Sequence, residues 1–513
     1  MKKLIVVLIT TISIIINAEG TLRVGMEVGY APFNWYQKDD KHNAVKIPSG
    51  YANGYDVQIA KLIAEKLGKK LVIVPSDWDS LLGPALNSSK IDLVIAGMSP
   101  TLERRKSIDF TKSYYESDIV VVVKKDNKYN MAKRLNDFRH ARITGQLNTL
   151  HYGLIKQLKG AKKQVAMENF PAMIVALNSN KIDGYIAENP SALSASFSDP
   201  NITFIKFKDN GFEYDKNEVN VAIGVKKGNI KLLNEVNRAL SEIPKEVREK
   251  LMEDAIKNQP LSSSKENIQN NGPNGFFSWV KYILINYGNR YLLGTLTTVY
   301  LAIIGTSAGF IIGLIVALVN TVSTEDSRRK VHNIIYKILK KLNWIYISVF
   351  RGTPMIVQAM IFYYGLGQVF DINLSPIVAA MIIISINTGA YLSEIIRGGI
   401  ESVDKGQYDA AQSLGFTHRQ SMIYIILPQA IRNILPSVGN EFIINIKDSA
   451  VLFAIGVTEL YTVSKQIAGT NFRYYEVFII TCVIYFVLTT VLSKILKYIE
   501  VKMDGSNTYE IVE

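Results

Sequence analysis

The sequence predicts a two-lobed α/β domain followed by an all-α membrane domain. In the first half, short apolar runs alternate with amphipathic helical patterns, the order expected of largely parallel sheets with crossover helices. After about Gly275 the chain is dominated by apolar runs that can span lipid, for which roughly 20 residues suffice. A chain of 513 residues is also too long for one compact core. Two or more domains are therefore expected.

The composition argues against several classes of function. The net charge is +13, but Lys and Arg are scattered along the first half and lie beside apolar segments in the second. We interpret them as solvated faces and topology determinants, and no nucleic-acid partner is predicted. The single cysteine, Cys482, falls in an apolar run, which argues against a disulfide framework, a zinc cluster or a catalytic cysteine. No cofactor is predicted.

Residues 1–18 are predicted to be a secretory signal peptide. Lys2 and Lys3 precede an apolar run, and Ala18 occupies a suitable position for cleavage. An uncleaved membrane anchor is the alternative. In both cases the residues that follow are expected to be exported.

Residues 19–258 are predicted to form the binding domain. The expected elements of its first lobe are strands at 22–26, 71–74 and 91–96, and helices at 56–67 and near 81–86. Two β-branched strands, 119–123 and 219–225, bracket a second α/β block. A chain that leaves one lobe, builds another and returns gives two lobes joined by two crossing strands. A ligand would bind in the cleft between them.

Four segments in the first lobe carry a specific resemblance. They are LRVGMEVGYAPFNW, GYDVQIAKLIAEKLG, DWDSLLGPAL and KIDLVIAGMSPTLERRKSIDFTKSYY. Their order and spacing resemble the family 3 amino-acid-binding proteins of ABC importers, over about residues 21–258. The resemblance implies the periplasmic-binding-protein type II fold and an L-amino acid ligand.

The resemblance also implies which residues hold the ligand. They are Glu27, Tyr30, Trp78, Gly97, Ser99, Arg104, Thr149 and Glu188. Arg104 would bind the α-carboxylate with a bidentate fork, helped by Ser99 and the backbone at Gly97. Glu188 would hold the α-ammonium. The alternatives are a solvated arginine in the charged stretch ERRK, and a glutamate that caps a turn.

The remaining positions concern the ligand side chain. Tyr30 and Trp78 match two aromatic positions that sandwich it, and Glu27 matches an acid near its end. Thr149 is expected to be a ligand contact from the second lobe. Core packing is the alternative for the two rings. Facing rings and an acid would suit a cationic side chain. A polar, preferably basic, L-amino acid is therefore expected, and glutamine or another neutral polar amino acid is the alternative.

The second half is predicted to be a membrane domain. Residues 259–290 are expected to be a polar linker and an interfacial helix, residues 291–500 the transmembrane domain, and residues 501–513 a cytoplasmic tail. The predicted spans, about five, are 291–320, 343–370, 375–396, 433–463 and 472–499. Arg328, Arg329 and Lys330 follow the first span, whereas the loop near Asp371 has no Lys or Arg. These charges and the apolar runs predict a multi-pass membrane protein with the binding domain outside the cytoplasm, and the resemblance to ABC importers implies the bacterial inner membrane.

One polar stretch, QYDAAQSLGFTHRQSMIYIILP from Gln407 to Pro428, lies among these apolar segments. Asp409, Ala410, Ala411 and Gly415 stand at the spacing of the EAA loop, and the stretch resembles the coupling loop of type I ABC importer permeases, with Asp409 in place of Glu. Here Gly415 would break the helix, and Pro428 would start the next. The alternative is an ordinary amphipathic helix.

Further stretches, FRGTPMIVQ and YLSEIIRGGIESVDKGQYDAAQSLG, also resemble polar-amino-acid permeases. The resemblance implies a homodimer through the membrane domain and a separate ABC ATPase docked on each coupling loop. Asn387, Glu441, Lys447 and Asp448 are polar groups inside predicted spans, where such groups usually mark pathways or interfaces. Glu441 in the transport path is a hypothesis, and mutual neutralisation is the simpler role for Lys447 and Asp448.

Other function classes fit the sequence less well. The chain contains no GxxxxGK[ST] phosphate loop, so it is predicted not to hydrolyse ATP by that chemistry and not to be an enzyme. A ligand-gated ion channel with the same receptor would need a re-entrant selectivity filter, which the sequence does not indicate. An enzyme on the binding fold would need a nucleophile with a base or a metal cluster. The leading prediction is a fused receptor and permease of an amino-acid ABC importer.

Overall fold

The computed structural model describes residues 20–48, 50–81, 83–199, 201–207, 211–215, 219–259, 275–321, 330–471 and 473–504. The predicted signal peptide lies outside these residues, as do most of the predicted linker, Arg328, Arg329 and the end of the tail. The chain forms two compact units. One comprises the chain up to residue 291 with 364–374 and 462–480, and the other comprises 292–363, 375–461 and the chain from 481.

The first lobe is built on a five-stranded sheet in the order β6-β1-β7-β14-β8, with a small sheet in the order β2-β3-β5-β4. Its strands are β1 Thr21–Met26, β2 Gly29–Tyr30, β3 Asn34–Gln37, β4 Val45–Ile47, β5 Gly50–Asn53, β6 Lys70–Pro75, β7 Leu93–Val94, β8 Ile108–Tyr115 and, returning from the second lobe, β14 Val221–Lys226. β1 pairs in parallel with β6 and β7, whereas β14 is antiparallel to β7 and β8.

The second lobe repeats this arrangement with the order β11-β10-β12-β9-β13. Its strands are β9 Ile119–Lys124, β10 Arg142–Thr144, β11 Lys162–Lys163, β12 Gly184–Glu188 and β13 Ile202–Ile205. The first five residues of β9, Ile-Val-Val-Val-Val, are buried, as β-branched residues in an inner strand should be. The prediction of two lobes, with the chain returning to the first through β14, is confirmed.

The helices of the binding domain cover the faces of these sheets. They are α1 Tyr55–Lys66, α2 Trp78–Leu81, α3 Pro84–Asn87, α4 Leu102–Ser107, α5 Leu150–Leu154, α6 Phe170–Asn178, α7 Asn189–Ser198, α8 Ile230–Ser241 and α9 Lys245–Asn258. In α1 the apolar residues Val57, Ile59 and Ile63 are buried, and Gly68 follows the helix with φ of +63°, which glycine adopts without strain.

Three expectations for this domain need correction. The helix predicted near residues 81–86 is two short helices, α2 and α3, with Gly83 between them. The strand predicted at 91–96 is reduced to β7, Leu93–Val94. Both five-stranded sheets are mixed rather than largely parallel, because β9 and β14 run antiparallel to their neighbours.

The second half is helical, as predicted. Its helices are α10 Phe276–Thr321, α11 Lys330–Gly352, α12 Met355–Phe370, α13 Pro376–Glu401, α14 Lys405–Ser413, α15 His418–Ser421, α16 Leu427–Asp448, α17 Leu460–Asn471 and α18 Tyr474–Asp504. Within the described residues, α10, α13 and α18 are long and apolar enough to cross a membrane. The pair α11 and α12, bent by 112° at a short break, would be a fourth span if it is one broken span.

The boundaries of several predicted spans were wrong. The predicted interfacial helix is continuous with the first span in α10, and the predicted second span is broken between α11 and α12. The predicted span at 433–463 does not meet the criteria of length and apolarity among the described helices. The helix there, α16, ends at Asp448 and contains Glu441 and Lys447.

Helices α10 and α13 pack at short distance in the second unit. Gly305, Gly309 and Gly313 recur every four residues on α10. A Cβ atom added at Gly309 would lie 2.9 Å from the Cβ of Thr388 and 3.1 Å from the backbone N of Gly389. Small residues at this spacing let two helix backbones approach, which is how helices associate in lipid.

Candidate functional site

One cavity in the binding domain is lined from both lobes. Its lining residues are Tyr30, Trp78, Gly97, Ser99, Arg104, Gln146, Thr149, Leu150, His151 and Glu188. Seven of the eight predicted ligand residues are among them, and Glu27 is the exception. The cavity has a volume of about 10 Å³, which is room for about one water molecule. A larger ligand therefore requires the lining groups or the lobes to move.

Arg104 is positioned by the first turn of α4. Thr101 caps this helix by accepting a hydrogen bond from the Arg104 backbone N–H at 3.4 Å. The guanidinium donates to the backbone carbonyls of Ser99 (2.7 Å) and Asn148 (3.0 Å), and it lies 5.0 Å from the centre of the Trp78 ring. Burial lowers the pKa of Arg104 to about 10, and the opposing effect of Glu188 is smaller. The group remains a cation at neutral pH.

Glu188 ends strand β12 and is 2% exposed. It accepts hydrogen bonds from the Tyr30 hydroxyl and, at 2.9 Å, from His151 Nε2. Burial by itself would raise the pKa of Glu188, but attraction to His151 and the hydrogen bonds from His151 and Tyr30 outweigh it and lower the pKa. The carboxylate is thus held ionised, and an ammonium group could take the place of these donors.

The two predicted aromatic residues both line the cavity. The Tyr30 ring is stacked with Phe33 (5.1 Å between centroids) and with Phe170 (4.7 Å). The Trp78 ring lies under the Arg104 guanidinium, and its indole N–H is buried without a partner among the described residues. Protein groups therefore occupy faces of both rings, and the ligand sandwich remains a prediction.

Three small residues complete the predicted lining. Gly97 has φ of +60°, and a Cβ atom there would lie 2.6 Å from Tyr30 Cε1, so the close approach of this ring requires glycine. The Ser99 hydroxyl donates to the Val219 carbonyl at 3.2 Å, and the Thr149 hydroxyl donates to the Gln146 carbonyl at 2.7 Å. These bonds fix the two hydroxyl groups at the cavity wall.

Glu27 lies behind the cavity wall. It is hydrogen-bonded to Gln146, which lines the cavity. Burial raises the pKa of Glu27 to about 8, and repulsion by the Asp77 carboxylate contributes in the same direction. A carboxyl group with this pKa is mostly protonated at neutral pH, and a cation brought close to it would favour its ionised form.

The structure adds Gln146, Leu150 and His151 to the predicted set. His151 is 5% exposed, and its contact with Glu188 spans 37 positions of the chain, from α5 to the end of β12. No pattern in the sequence marks this pair. Within the described residues, no group of three or more His, Cys, Asp or Glu side chains could hold a metal ion.

The predicted coupling residues lie on α14 and the turn that follows it. Asp404 caps α14 by accepting from the Gly406 N–H at 2.6 Å, and Gly415 ends the segment with φ of +83°. Ala410 is exposed, whereas Ala411 is 1% exposed and packs within the chain itself. Of the two alanines, only Ala410 is therefore available to another protein.

Pro428 is the second residue of α16, at the start of the helix as expected. The sequence did not predict that the chain is already helical before it, through α15 and a π-helical turn at Met422–Ile426. The wider turn accommodates the proline, because a π turn changes the hydrogen-bonding pattern where proline has no N–H to donate.

Two families match the chain. Residues 22–255 match the bacterial extracellular solute-binding proteins, family 3. Residues 333–505 match the inner membrane component of binding-protein-dependent transport systems. The two matches correspond to the α/β lobes and to most of the helical half.

Two permease relatives agree with the second of these matches. The glutamine transport system permease protein GlnP of Escherichia coli (strain K12) is 36% identical over 211 residues, 41% of this chain and 91% of that protein. The arginine transport system permease protein ArtQ of Bacillus subtilis (strain 168) is 35% identical over 219 residues, 42% of this chain and 93% of that protein. A solved ancestral arginine-binding protein bound to glutamine is 34% identical and covers 46% of this chain and 97% of its own, with a TM-score of 0.38.

Proposed function

Because the chain belongs to the inner membrane components of binding-protein-dependent transport systems and carries a family 3 solute-binding domain in the same polypeptide, we propose that it is the receptor and permease of an ATP-driven importer of polar L-amino acids. Receptor and permease are then present in equal numbers, because they are parts of one polypeptide. The chain is a multi-pass protein of the inner membrane.

The observation that carries the proposal is the pairing of Arg104 and Glu188 in one cavity. Every amino acid bears an α-carboxylate and an α-ammonium group. A guanidinium from one lobe and a carboxylate from the other complement these two charges, and a ligand that binds both would hold the lobes together. The fork geometry of Arg104 suits a carboxylate better than a lysine would.

Three groups favour a ligand with a basic side chain. The rings of Tyr30 and Trp78 line the cavity and can attract a guanidinium or an ammonium group. Glu27, which contacts the lining residue Gln146, supplies a carboxyl group that a cation would ionise. Relatives named for arginine and for glutamine transport support the polar class. Glutamine is the alternative substrate.

The proposal includes partners and an orientation. ATP would be hydrolysed by a separate ABC ATPase that docks on the segment of Asp409, Ala410 and Gly415. Two copies of the chain would pair through their membrane domains to enclose the pathway. The binding domain would lie outside the cytoplasm, where it meets its ligand.

Ligand binding and lobe closure are linked in this scheme. In the described structure the lobes are joined by the bonds from Arg104 to Asn148 (3.0 Å) and from Asn148 to Asp79 (2.8 Å). The Glu188 carboxylate accepts from Tyr30 and His151, and a ligand ammonium group would join these donors or replace one of them. The ligand then favours whichever lobe arrangement offers both charged groups at once.

The test is equilibrium binding of a panel of L-amino acids to the full chain in lipid nanodiscs. We expect arginine or lysine to bind most tightly, and Arg104→Ala to weaken binding at least about 100-fold, because a buried, charge-assisted bidentate bond is lost. Arg105→Ala is the matched control. Its side chain donates to the Pro100 carbonyl and lies over Phe110, so it should bind arginine normally.

Two results would contradict parts of the proposal. Tight binding of glutamine alone would retain the importer and reject the basic preference. Binding of no amino acid by the unmodified chain would reject the receptor function, and with it the assignment of Arg104 and Glu188.

A further inference from the structure

Lys465 is a charged residue of the helical half that lies against the binding lobes. It belongs to α17, in the 462–480 segment that shares a compact unit with those lobes. Among the described residues, α17 is not one of the helices that meet the criteria for a membrane span. Its ammonium group contacts the binding domain.

The ammonium group of Lys465 binds one carboxylate from each lobe. Asp77, in the first lobe between β6 and α2, accepts from Nζ at 3.1 Å. Glu168, in the second lobe before α6, also accepts from Nζ. The two carboxylates are far apart in sequence and belong to different lobes, so it is the arrangement of the lobes in this structure that brings both to one cation.

Both carboxylates are close in sequence to residues at the ligand cavity. Asp77 immediately precedes Trp78, which lines the cavity, and Glu168 lies two residues before Phe170, which stacks on Tyr30. A movement of either lobe about the ligand therefore moves one of the two oxygen atoms that hold Lys465.

The contact is partly buried. The side chain of Lys465 is 19% exposed, that of Asp77 30% and that of Glu168 60%. A fully exposed ion pair contributes little, because water and salt screen it. Water and salt screen the partly buried contact of Lys465 less, and the carboxylates of Asp77 and Glu168 share its one positive charge.

Other contacts in the same unit involve a single lobe. The Lys90 ammonium group donates to the Leu374 carbonyl at 3.2 Å, which involves the first lobe alone. The Tyr474 hydroxyl donates to Asn169 at 3.1 Å, which involves the second lobe alone. Such contacts would survive a change in the angle between the lobes. The Lys465 contact would not.

We propose that Lys465 is the positioning residue through which the permease senses lobe closure, with Asp77 and Glu168 as the two halves of its binding site. The inference rests on the proposed function of the receptor and names the residue that couples it to the membrane helices. An open receptor would offer Lys465 one carboxylate, and a closed one would offer two.

The proposal has a reciprocal consequence that can be measured without the ATPase. If Lys465 binds the closed lobes better than the open ones, its contact must also raise the affinity for the ligand that closes them. Removing the cation should then weaken ligand binding, although Lys465 is not among the residues that line the cavity.

The experiment measures the Kd of arginine for the full chain in lipid nanodiscs. We expect Lys465→Gln to raise the Kd about fivefold or more, within the usual range of coupling between sites. Lys465→Arg should restore most of the affinity, since it keeps the charge. Lys90→Gln is the matched control, because it removes a contact that involves one lobe, and it should change the Kd less than about twofold.

A double-mutant cycle tests whether Lys465 acts through its contact with Glu168. Glu168→Gln, at a half-exposed surface position, should weaken arginine binding in the unmodified chain and have little further effect when Lys465 is already glutamine. Additive effects would show instead that the two side chains act on the ligand affinity independently of their contact.

The outcomes separate the two proposals. If the unmodified chain binds arginine and Lys465→Gln binds it with the same Kd, the sensing role is overturned and the importer remains. Additive effects of the two substitutions would also overturn it. If the unmodified chain binds no amino acid, the proposed function fails first, and this inference fails with it.

Discussion

Glu27 is the residue whose charge depends most directly on what occupies the cavity. Its folded pKa of about 8 lies above the ordinary value of 4.5, because burial and the nearby Asp77 carboxylate disfavour its ionised form. The direction of this pKa shift determines how the stability of the receptor changes with pH. The folded receptor keeps a proton on Glu27 between pH 4.5 and about 8, and the free energy of folding becomes less favourable as pH rises through this window.

A basic ligand should remove this proton. At pH 7 a group with a pKa of about 8 is roughly 90% protonated, so arginine binding that ionises it would release close to one proton. Calorimetry in two buffers of different ionisation enthalpy should give different apparent heats. The affinity for arginine should also rise with pH up to about 8.

The controls for this prediction are a neutral ligand and a neutral side chain. Glutamine should bind with little proton release, and Glu27→Gln should abolish the release with arginine. Equal heats in both buffers for arginine and the unmodified chain would show that Glu27 does not face the ligand cation.

At the scale of single residues, the sequence identified the residues of the site but not the contacts between them. Arg104, Glu188 and the two aromatic residues were found because the family spacing marks them, and they do meet in one cavity. His151 could not be found in this way, because its contact with Glu188 depends on how α5 packs beside β12. The stacking of Tyr30 on Phe170 likewise joins distant segments.

At the scale of elements, a buried hydrogen-bond network joins three helices. The Asn445 side chain on α16 donates to the Thr306 hydroxyl on α10 at 2.9 Å and accepts from the Thr388 hydroxyl on α13 at 3.0 Å. Asn445 is 4% exposed and Thr388 1%. In lipid no water competes for such groups, so they fix the helices relative to one another.

Asn445→Leu should destabilise the helical half modestly. The expected loss is about 1 kcal/mol, because the two threonine hydroxyls can bond to carbonyls of their own helices once the amide is gone. Unfolding by SDS in mixed micelles would measure it. Thr489→Val is the matched control, since that hydroxyl donates within its own helix, to the carbonyls of Tyr485 and Phe486, and its loss should cost less.

A loss well above that of the control, on the order of 3 kcal/mol, would contradict this estimate and indicate that the threonines stay unpaired in the core. No difference from Thr489→Val would show that the network adds nothing to the packing of Gly309 against α13.

Helix identity was predictable from sequence, and helix continuity was not. The apolar run of α13 is uninterrupted, and the prediction of a span there succeeded. The junction near Gly288 looks like a boundary in composition, yet α10 runs through it, because glycine weakens a helix by only about 1 kcal/mol. The bend after Gly352 falls at Pro354, a helix-breaking residue that the predicted span ran through, whereas the π turn at Met422–Ile426 is not marked by any periodicity.

At the scale of the whole molecule, the functional assembly should contain two copies of the chain. A single membrane half offers one coupling segment, whereas the proposed pathway lies between two such halves. Native mass spectrometry of the protein extracted with mild detergent should show a species of twice the chain mass. A single-copy mass under conditions that preserve arginine binding would reject the dimer.

The discontinuity of the first lobe has a consequence for synthesis. Strand β14 occupies the place between β7 and β8, but the ribosome makes it only after the entire second lobe. Until residue 226 emerges, the edges of β7 and β8 lack their shared neighbour and can pair with other chains. The second lobe can fold first, and the first lobe is completed before Phe276 opens the helical half. Chains terminated between residues 115 and 221 should therefore be the aggregation-prone products of this gene.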